Sequence, residues 1–378
     1  MARKRASSRK SRRQVRYAVI GLGHIAQAAV LPAFQHASRN SALAALVSGE
    51  RNKLRQLGRR YGITRVCDYD EVDELFASGD IDAVYIALPN DQHKDYTIRA
   101  AKAGLHVLSE KPMAVTASDC EAMIRATRRA NVKLMIAYRL HFERANLEVV
   151  QLARSGTLGK LRFFTSDFAM QVSEDNIRLK PVDQGGGPLY DIGVYCINAA
   201  RYCFGEDPIA VWATATRSND KRFRKVDETI AGAMRFKDER LATFTCSFGA
   251  ADRAVYTLTG TKGSITVDPA YEYAEGLAYQ AKIDGRTRTK QFAKSDQFAP
   301  ELLYFSDCIL NNREPEPSGK EGLIDVRIIQ AMHRSIATGR WTSLQLPQRT
   351  RRPSLKQGIR RPAVKREPKL VEASSASQ

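Results

Sequence analysis

Residues 17–26, YAVIGLGHIA, constrain this chain more than any other stretch. A run of apolar strand formers ends in Gly21-Leu22-Gly23-His24-Ile25-Ala26, and a helical pattern begins at Ala26. Strand, tight turn and helix N-terminus in that order form the geometry in which backbone N–H groups close around a pyrophosphate. Gly21 permits the turn, Gly23 lets the backbone approach the phosphates, and Ala26 is small enough for close helix–strand packing. Leu22, His24 and Ile25 are spacers whose backbone, more than their side chains, is expected to meet the ligand.

The surrounding pattern makes that short motif specific. Strand-like runs at 17–21, 43–48, 83–89, 106–110 and 133–138 alternate with helical stretches at about 26–37, 51–61, 93–103 and 117–130. Such alternation predicts a parallel, doubly wound sheet, here an NADP-binding Rossmann domain over 15–138. After Tyr138 the pattern changes. A helical stretch at 142–155 leads to LRFFTSDFAMQ (161–171), a GGG loop at 185–187 and a helical run at 190–205. Strand-like runs then follow with few helices between them, and two helices close the body at about 299–312 and 321–339. The expectation for 139–346 is an α+β domain with an open, mainly antiparallel sheet that binds substrate and mediates oligomerisation.

Cofactor choice is read at the end of the second strand, where NAD sites present an acid to the ribose hydroxyls. Here it runs Ser48-Gly49-Glu50-Arg51-Asn52-Lys53. A hydroxyl, a glycine turn and two cations suit a 2′-phosphate, whereas Glu50 alone suits the NAD role. The expectation is NADP.

Two further places carry chemistry. Lys111 precedes Pro112 after the run HVLSE, and a pre-proline residue is biased toward extended backbone. It is therefore expected at the carboxyl end of a strand, where open α/β sheets bind ligands. Asp191 and Tyr195 stand four apart in a helical run just past the three glycines, so they share a face. Taken alone, that pair also reads as a capping carboxylate and a core aromatic. A phenol titrates near 10, and a cation about 4 Å away stabilises its anion by roughly 4 kcal/mol at a dielectric near 20. That is the work expected of Lys111 on Tyr195, with Asp191 positioning the substrate.

The formal charge of +19 resembles a nucleic-acid signature until it is located. Residues 1–16 carry +8 and residues 347–378 carry +7, so the 330 residues between them hold only +4. Both ends, 1–14 and 347–378, are expected to be disordered basic arms, with at most weak contact to nucleic acid. No apolar run approaches the roughly 18–20 residues of a membrane span. Six scattered cysteines with no CxxC and no nearby histidine cluster argue against a zinc site or a disulfide framework, and point to a cytoplasmic setting.

Together GLGHIA, ALVSG, DAVYIALPNDQH, AGLHVLSEKPMA, KLMIAYR and GGGPLYDIGVY resemble the Gfo/Idh/MocA oxidoreductases, and within them the glucose–fructose oxidoreductase type, over about residues 15–345. The resemblance implies an NADP-dependent enzyme acting on CH–OH groups of sugars, with Lys111 as the EKP lysine and Asp191 as the DIG aspartate. Tyr195 stands where many members carry histidine. Leu88, Pro89, Asn90 and His93 match a stretch near the nicotinamide ribose, and Ser48 and Lys53 match residues around the 2′-phosphate. Gly49, Arg51, Glu110, Arg139 and Arg178 complete the cofactor-lining set. Arg178 follows Ile177 where the glucose–fructose enzymes have a Trp-Arg pair, which puts tight cofactor retention and a paired glucose/fructose cycle in doubt. The expected reaction is hydride transfer at C1 of an aldose, coupled or not to ketose reduction. Alternatives are a xylose-type dehydrogenase or a dihydrodiol- or anhydrofructose-type reductase with freely exchanging cofactor, or a dinucleotide-sensing regulatory protein. A homo-oligomer through the second sheet, dimer or tetramer, is also implied.

Overall fold

In the computed structural model the described residues are 14–348, 353–366 and 368–375. All but Gln14 of the expected N-terminal arm lies outside them. The first half is a six-stranded, wholly parallel sheet in the order β3-β2-β1-β4-β5-β6. Its strands are β1 (Val15–Ile20), β2 (Ser41–Val47), β3 (Arg65–Cys67), β4 (Ala83–Ile86), β5 (His106–Ser109) and β6 (Leu134–Ile136). The central strands are near-continuous apolar runs because helices cover both sheet faces. Those helices are α1 (Leu31–Ala37), entered through a π-helical turn at Ala26–Val30, then α2 (Arg51–Tyr61), α3 (Val72–Ala77), α4 (His93–Lys102) and α5 (Ala117–Arg129). Strand order reverses between β1 and β4, which opens a crevice at their carboxyl ends. Short β3 and α3 escaped the sequence reading because three residues, two of them exposed, carry no alternation.

Helix α6 (Arg144–Arg154) leads into the second sheet. Nine strands follow the order β14-β13-β12-β11-β7-β10-β9-β8-β15. They are β7 (Leu161–Gln171), β8 (Ala210–Thr216), β9 (Thr229–Arg235), β10 (Leu241–Ser247), β11 (Gly249–Gly260), β12 (Gly263–Val267), β13 (Ala278–Ile283), β14 (Arg286–Gln291) and β15 (Thr342–Ser343). All neighbours are antiparallel except β7 and β10. Alternate residues of β9 and β10 are buried, as expected of a sheet with one face on a core. Helices α7 (Val194–Phe204) and α9 (Gly319–Thr338) pack on that inner face.

Two boundaries differ from the sequence reading. Helix α8 (Ala299–Leu310), assigned above to the second domain, packs on α1, β1 and β2. Its Phe298, Leu302, Leu303 and Phe305 join the Rossmann core, and Ser306 Oγ lies 2.8 Å from both Tyr17 Oη and Ser41 Oγ. An apolar helix follows the surface that buries it, not the sequence order of domains. The second correction concerns the C-terminal arm. Its described residues are docked on the body: Pro353 O accepts from Arg154, Arg361 donates to His36 O, and Val371 is buried. Net charge misled because the segment binds largely through its backbone, which composition does not report.

Candidate active site

Every strand that borders the crevice ends in a residue of the site. The cavity there has a volume of about 480 Å³ and runs from the glycine turn after β1, past Ala87–Asn90 after β4 and Glu110–Lys111 after β5, to the inner face of the second sheet. Gly21 has φ +90, and a Cβ on it would lie 2.5 Å from Ala87 O. A Cβ on Gly23 would meet nothing within 4 Å. One glycine is thus required by the protein itself. The other leaves a cradle that a side chain would fill, as a dinucleotide pyrophosphate site demands.

At the far side, Lys111, Asp191 and Arg178 form one ionic unit. Lys111 Nζ donates to Asp191 O at 2.8 Å and Oδ1 at 3.2 Å, and Arg178 Nε donates to Asp191 Oδ2 at 2.5 Å. Burial alone would raise the Asp191 carboxyl, but the two cations reverse it and hold it down at about 2. Burial pulls Lys111 down, but its neighbours Tyr195 and Asp191 outweigh that, so its pKa is raised and it stays protonated. The loop carrying Arg178 folds back on itself through the three glycines. A Cβ on Gly186 would sit 1.7 Å from Lys180 O, Gly187 N donates to Arg178 O at 2.9 Å, and Asn90 Nδ2 holds Gly185 O at 2.8 Å.

Asp191 does not open a regular α-helix. It lies in a π-helical turn, Leu189–Gly193, that runs into α7, so the four-residue spacing to Tyr195 is not that of one helical face. The two nevertheless line the same cavity. Tyr195 lies between two cations, with Lys111 Nζ 4.9 Å and Arg139 Cζ 5.2 Å from its ring centroid. Arg139 is buried and also donates to Gln297 Oε1 and Tyr271 O, which pins the aromatic loop after β12. Glu110 lines the cavity and accepts from Tyr85 Oη at 2.7 Å, and burial raises its carboxyl.

The remaining expected cofactor residues divide. His24, Ile25, Leu88, Pro89 and Asn90 face the cavity. Leu22 is buried beneath the turn. Ser48 Oγ accepts from Glu50 N, and Lys53 Nζ lies 2.5 Å from Glu50 Oε1; with Gly49 and Arg51 they cluster at the end of β2, outside the main cavity. His93 corrects the sequence reading. It is fully buried, with Nε2 2.9 Å from Leu88 O and Nδ1 3.0 Å from Pro112 O, and it braces the loop after β4 from below instead of lining the ribose site. Burial lowers its pKa, consistent with a structural role.

Sequence reasoning missed the substrate-side wall. Phe168 from β7 and Tyr271, Glu272 and Tyr273 from the loop after β12 close the cavity opposite the glycine turn. The signal was AYEYAEG between two strand runs, where two tyrosines stand two apart in a loop.

Residues 15–138 match the oxidoreductase family with an NAD-binding Rossmann fold, and residues 146–266 match the GFO/IDH/MocA C-terminal domain. The chain is 31% identical over 330 residues to the D-xylose 1-dehydrogenase [NADP(+)] of Haloarcula marismortui, covering 86% of this chain and 91% of that protein. It is 26% identical over 322 residues to a dTDP-3,4-didehydro-2,6-dideoxy-alpha-D-glucose 3-reductase of Actinomadura kijaniata, covering 84% and 94%. The crystal structure of aldose–aldose oxidoreductase from Caulobacter crescentus superposes with a TM-score of 0.84 at 39% identity, over 88% of this chain and all of that one. With both halves of the chain matched, it belongs to the GFO/IDH/MocA oxidoreductase family.

Proposed function

We propose that this chain is an NADP-dependent sugar oxidoreductase that moves a hydride between C1 of an aldose and a nicotinamide, with Lys111, Asp191 and Tyr195 as its catalytic residues. The carrying observation is the assembly of Asp191 between Lys111 and Arg178, beside Tyr195, on a cavity that begins at the glycine turn. The relatives named above act on sugars, and one carries NADP(+) in its name. The Gly23 cradle and the Ser48–Lys53 corner fit such a dinucleotide, which when bound accepts the hydride.

The chain's own residues supply the rest. Tyr195 takes the proton of the C1 hydroxyl as the C1–O bond becomes a carbonyl, with Lys111 and Arg139 close beside its ring. Asp191, held ionised, accepts hydrogen bonds from sugar hydroxyls and so fixes which carbon faces the transfer. Phe168 and Tyr273 shield the transfer from water. Six buried free cysteines support a reducing, cytoplasmic setting. Phe163 and Leu241, paired across β7 and β10 and both exposed, support self-association through the outer face of the second sheet.

The test is an absorbance record of freshly purified, undialysed protein, first with glucose and then fructose, and afterwards with added NADP and xylose. Steady NADPH formation with an aldose establishes the dehydrogenase. A bound nicotinamide band that rises with glucose and falls with fructose establishes coupled ketose reduction. Silence with every aldose tried overturns the reading.

A further inference from the structure

The C-terminal segment 368–375 lies across the end of the dinucleotide site where adenosine is read. Val371 is only 5% exposed and forms a reciprocal pair with the fully buried amide of Gln27. Val371 N donates to Gln27 Oε1 at 2.8 Å, and Gln27 Nε2 donates to Val371 O at 2.9 Å. The same amide nitrogen donates to Leu22 O at 2.8 Å, so one side chain ties the tail to the phosphate-binding turn. Before this point Arg60 holds Lys369 O at 2.7 Å; after it, Ser375 joins the cavity wall near Gly23 and His24.

Between these anchors the chain takes a left-handed bend at Glu372, φ 47. Glu372 Oε1 accepts from Asn52 Nδ2 at 2.7 Å, and its carboxyl also meets Glu50, the partner of Lys53. This corner is the end of β2, where the 2′ substituent of the adenosine ribose is recognised. The tail closes it: Ser375 lines the main cavity, while none of Ser48 to Lys53 does.

We propose that Glu372 is a specificity-determining residue of the cofactor site, its carboxylate occupying the corner that a 2′-phosphate requires and disfavouring NADP relative to NAD while the tail is docked. The inference rests on the dinucleotide reading above. A phosphate placed beside Glu372 and Glu50 meets like charge, whereas a ribose 2′-hydroxyl can donate to either carboxylate. Ser48, Arg51 and Lys53 favour the phosphate once Glu372 withdraws. By linkage, whatever docking costs NADP, bound NADP costs docking.

The experiment uses the full chain and its Glu372→Gln variant, a change at an exposed position. Calorimetric titrations with NADP and with NAD, without sugar, are paired with deuterium exchange of the 368–375 peptide. Glu372→Gln is expected to tighten NADP by about three- to tenfold with NAD unchanged or slightly weaker. In the unsubstituted chain NADP, and not NAD, is expected to speed exchange at Val371. An unchanged NADP/NAD ratio in the variant, or a tail more protected with NADP bound, overturns the proposal while the cofactor reading stands. If neither dinucleotide binds either protein at millimolar concentration, the cofactor reading fails and takes the proposal with it.

Discussion

The helical segment from Leu189 to Phe204 carries an ionic cluster near each end, and the two behave oppositely. Near its start one carboxylate, Asp191, lies between two cations, Lys111 and Arg178. Near its end one cation, Arg201, is ringed by Asp207, Glu321 and Asp325. Burial pushes both aspartates up. The cations of the first cluster hold Asp191 at about 2, whereas in the second burial, only partly offset by Arg201 and reinforced by Glu321, leaves Asp325 raised to about 6. The majority charge decides the sign. The first cluster is left with surplus positive charge on a cavity, which invites a ligand. The second is closed inward by Tyr138 and Asn198, which donate to Asp325 at 2.7 and 2.8 Å, and it holds α7 to α9.

The sharpest break in that comparison is Lys111→Ala. It is expected to lower kcat by about 10³–10⁴ while thermal stability barely moves, because Asp191 keeps Arg178. Steady-state kinetics beside a melting curve read both. Arg201→Met is the mirror case: three carboxyls lose the cation at their centre, and the fold should lose about 3–5 kcal/mol in urea titration with unchanged turnover per folded molecule. Tyr195→Phe removes the proposed proton acceptor and should cost about 10²–10³ in kcat, with dinucleotide affinity untouched in a direct titration.

The pH dependence of stability sharpens the contrast further. Asp325 binds its proton more tightly folded than unfolded, so its contribution falls as pH rises from about 4 to about 6, by on the order of 3 kcal/mol, and is flat above. Asp191 has the opposite sign: its contribution is complete above about pH 4 and is lost as pH falls toward 2. Asp325→Asn should flatten the first slope in denaturation series run across that window. The smallest effect leaves both clusters intact. Gly23→Ala meets no protein atom, so the fold should persist while dinucleotide affinity drops by about tenfold, read by calorimetry.

What the sequence disclosed follows from how local each feature is. The glycine turn, the Lys111 strand end and the β-α alternation are set within a few residues, and all stand in the structure where they were expected. Partnerships across the fold were legible only in part. Asp191 and Tyr195 were expected on one helical face, yet they reach the same cavity through a π-helical turn that no periodicity announces. His93 was placed at the ribose by its match to the family's stretch after the strand, but two backbone carbonyls claim its ring. The C-terminal arm was misread because its anchor is a buried glutamine 344 residues away.

The path of the chain after the second sheet has a mechanical consequence. Leaving β14, the polypeptide returns to the first half as α8 against α1, then lays α9 between α5 and β8, with Ile136 N bonded to Pro317 O on the way. The halves are thus laced by several crossings instead of joined at one pivot, and swinging them apart would strip helix contacts from both cores. A crevice built this way resembles a keyhole more than a jaw, because its two walls are tied together by crossings on either side and not by a single hinge.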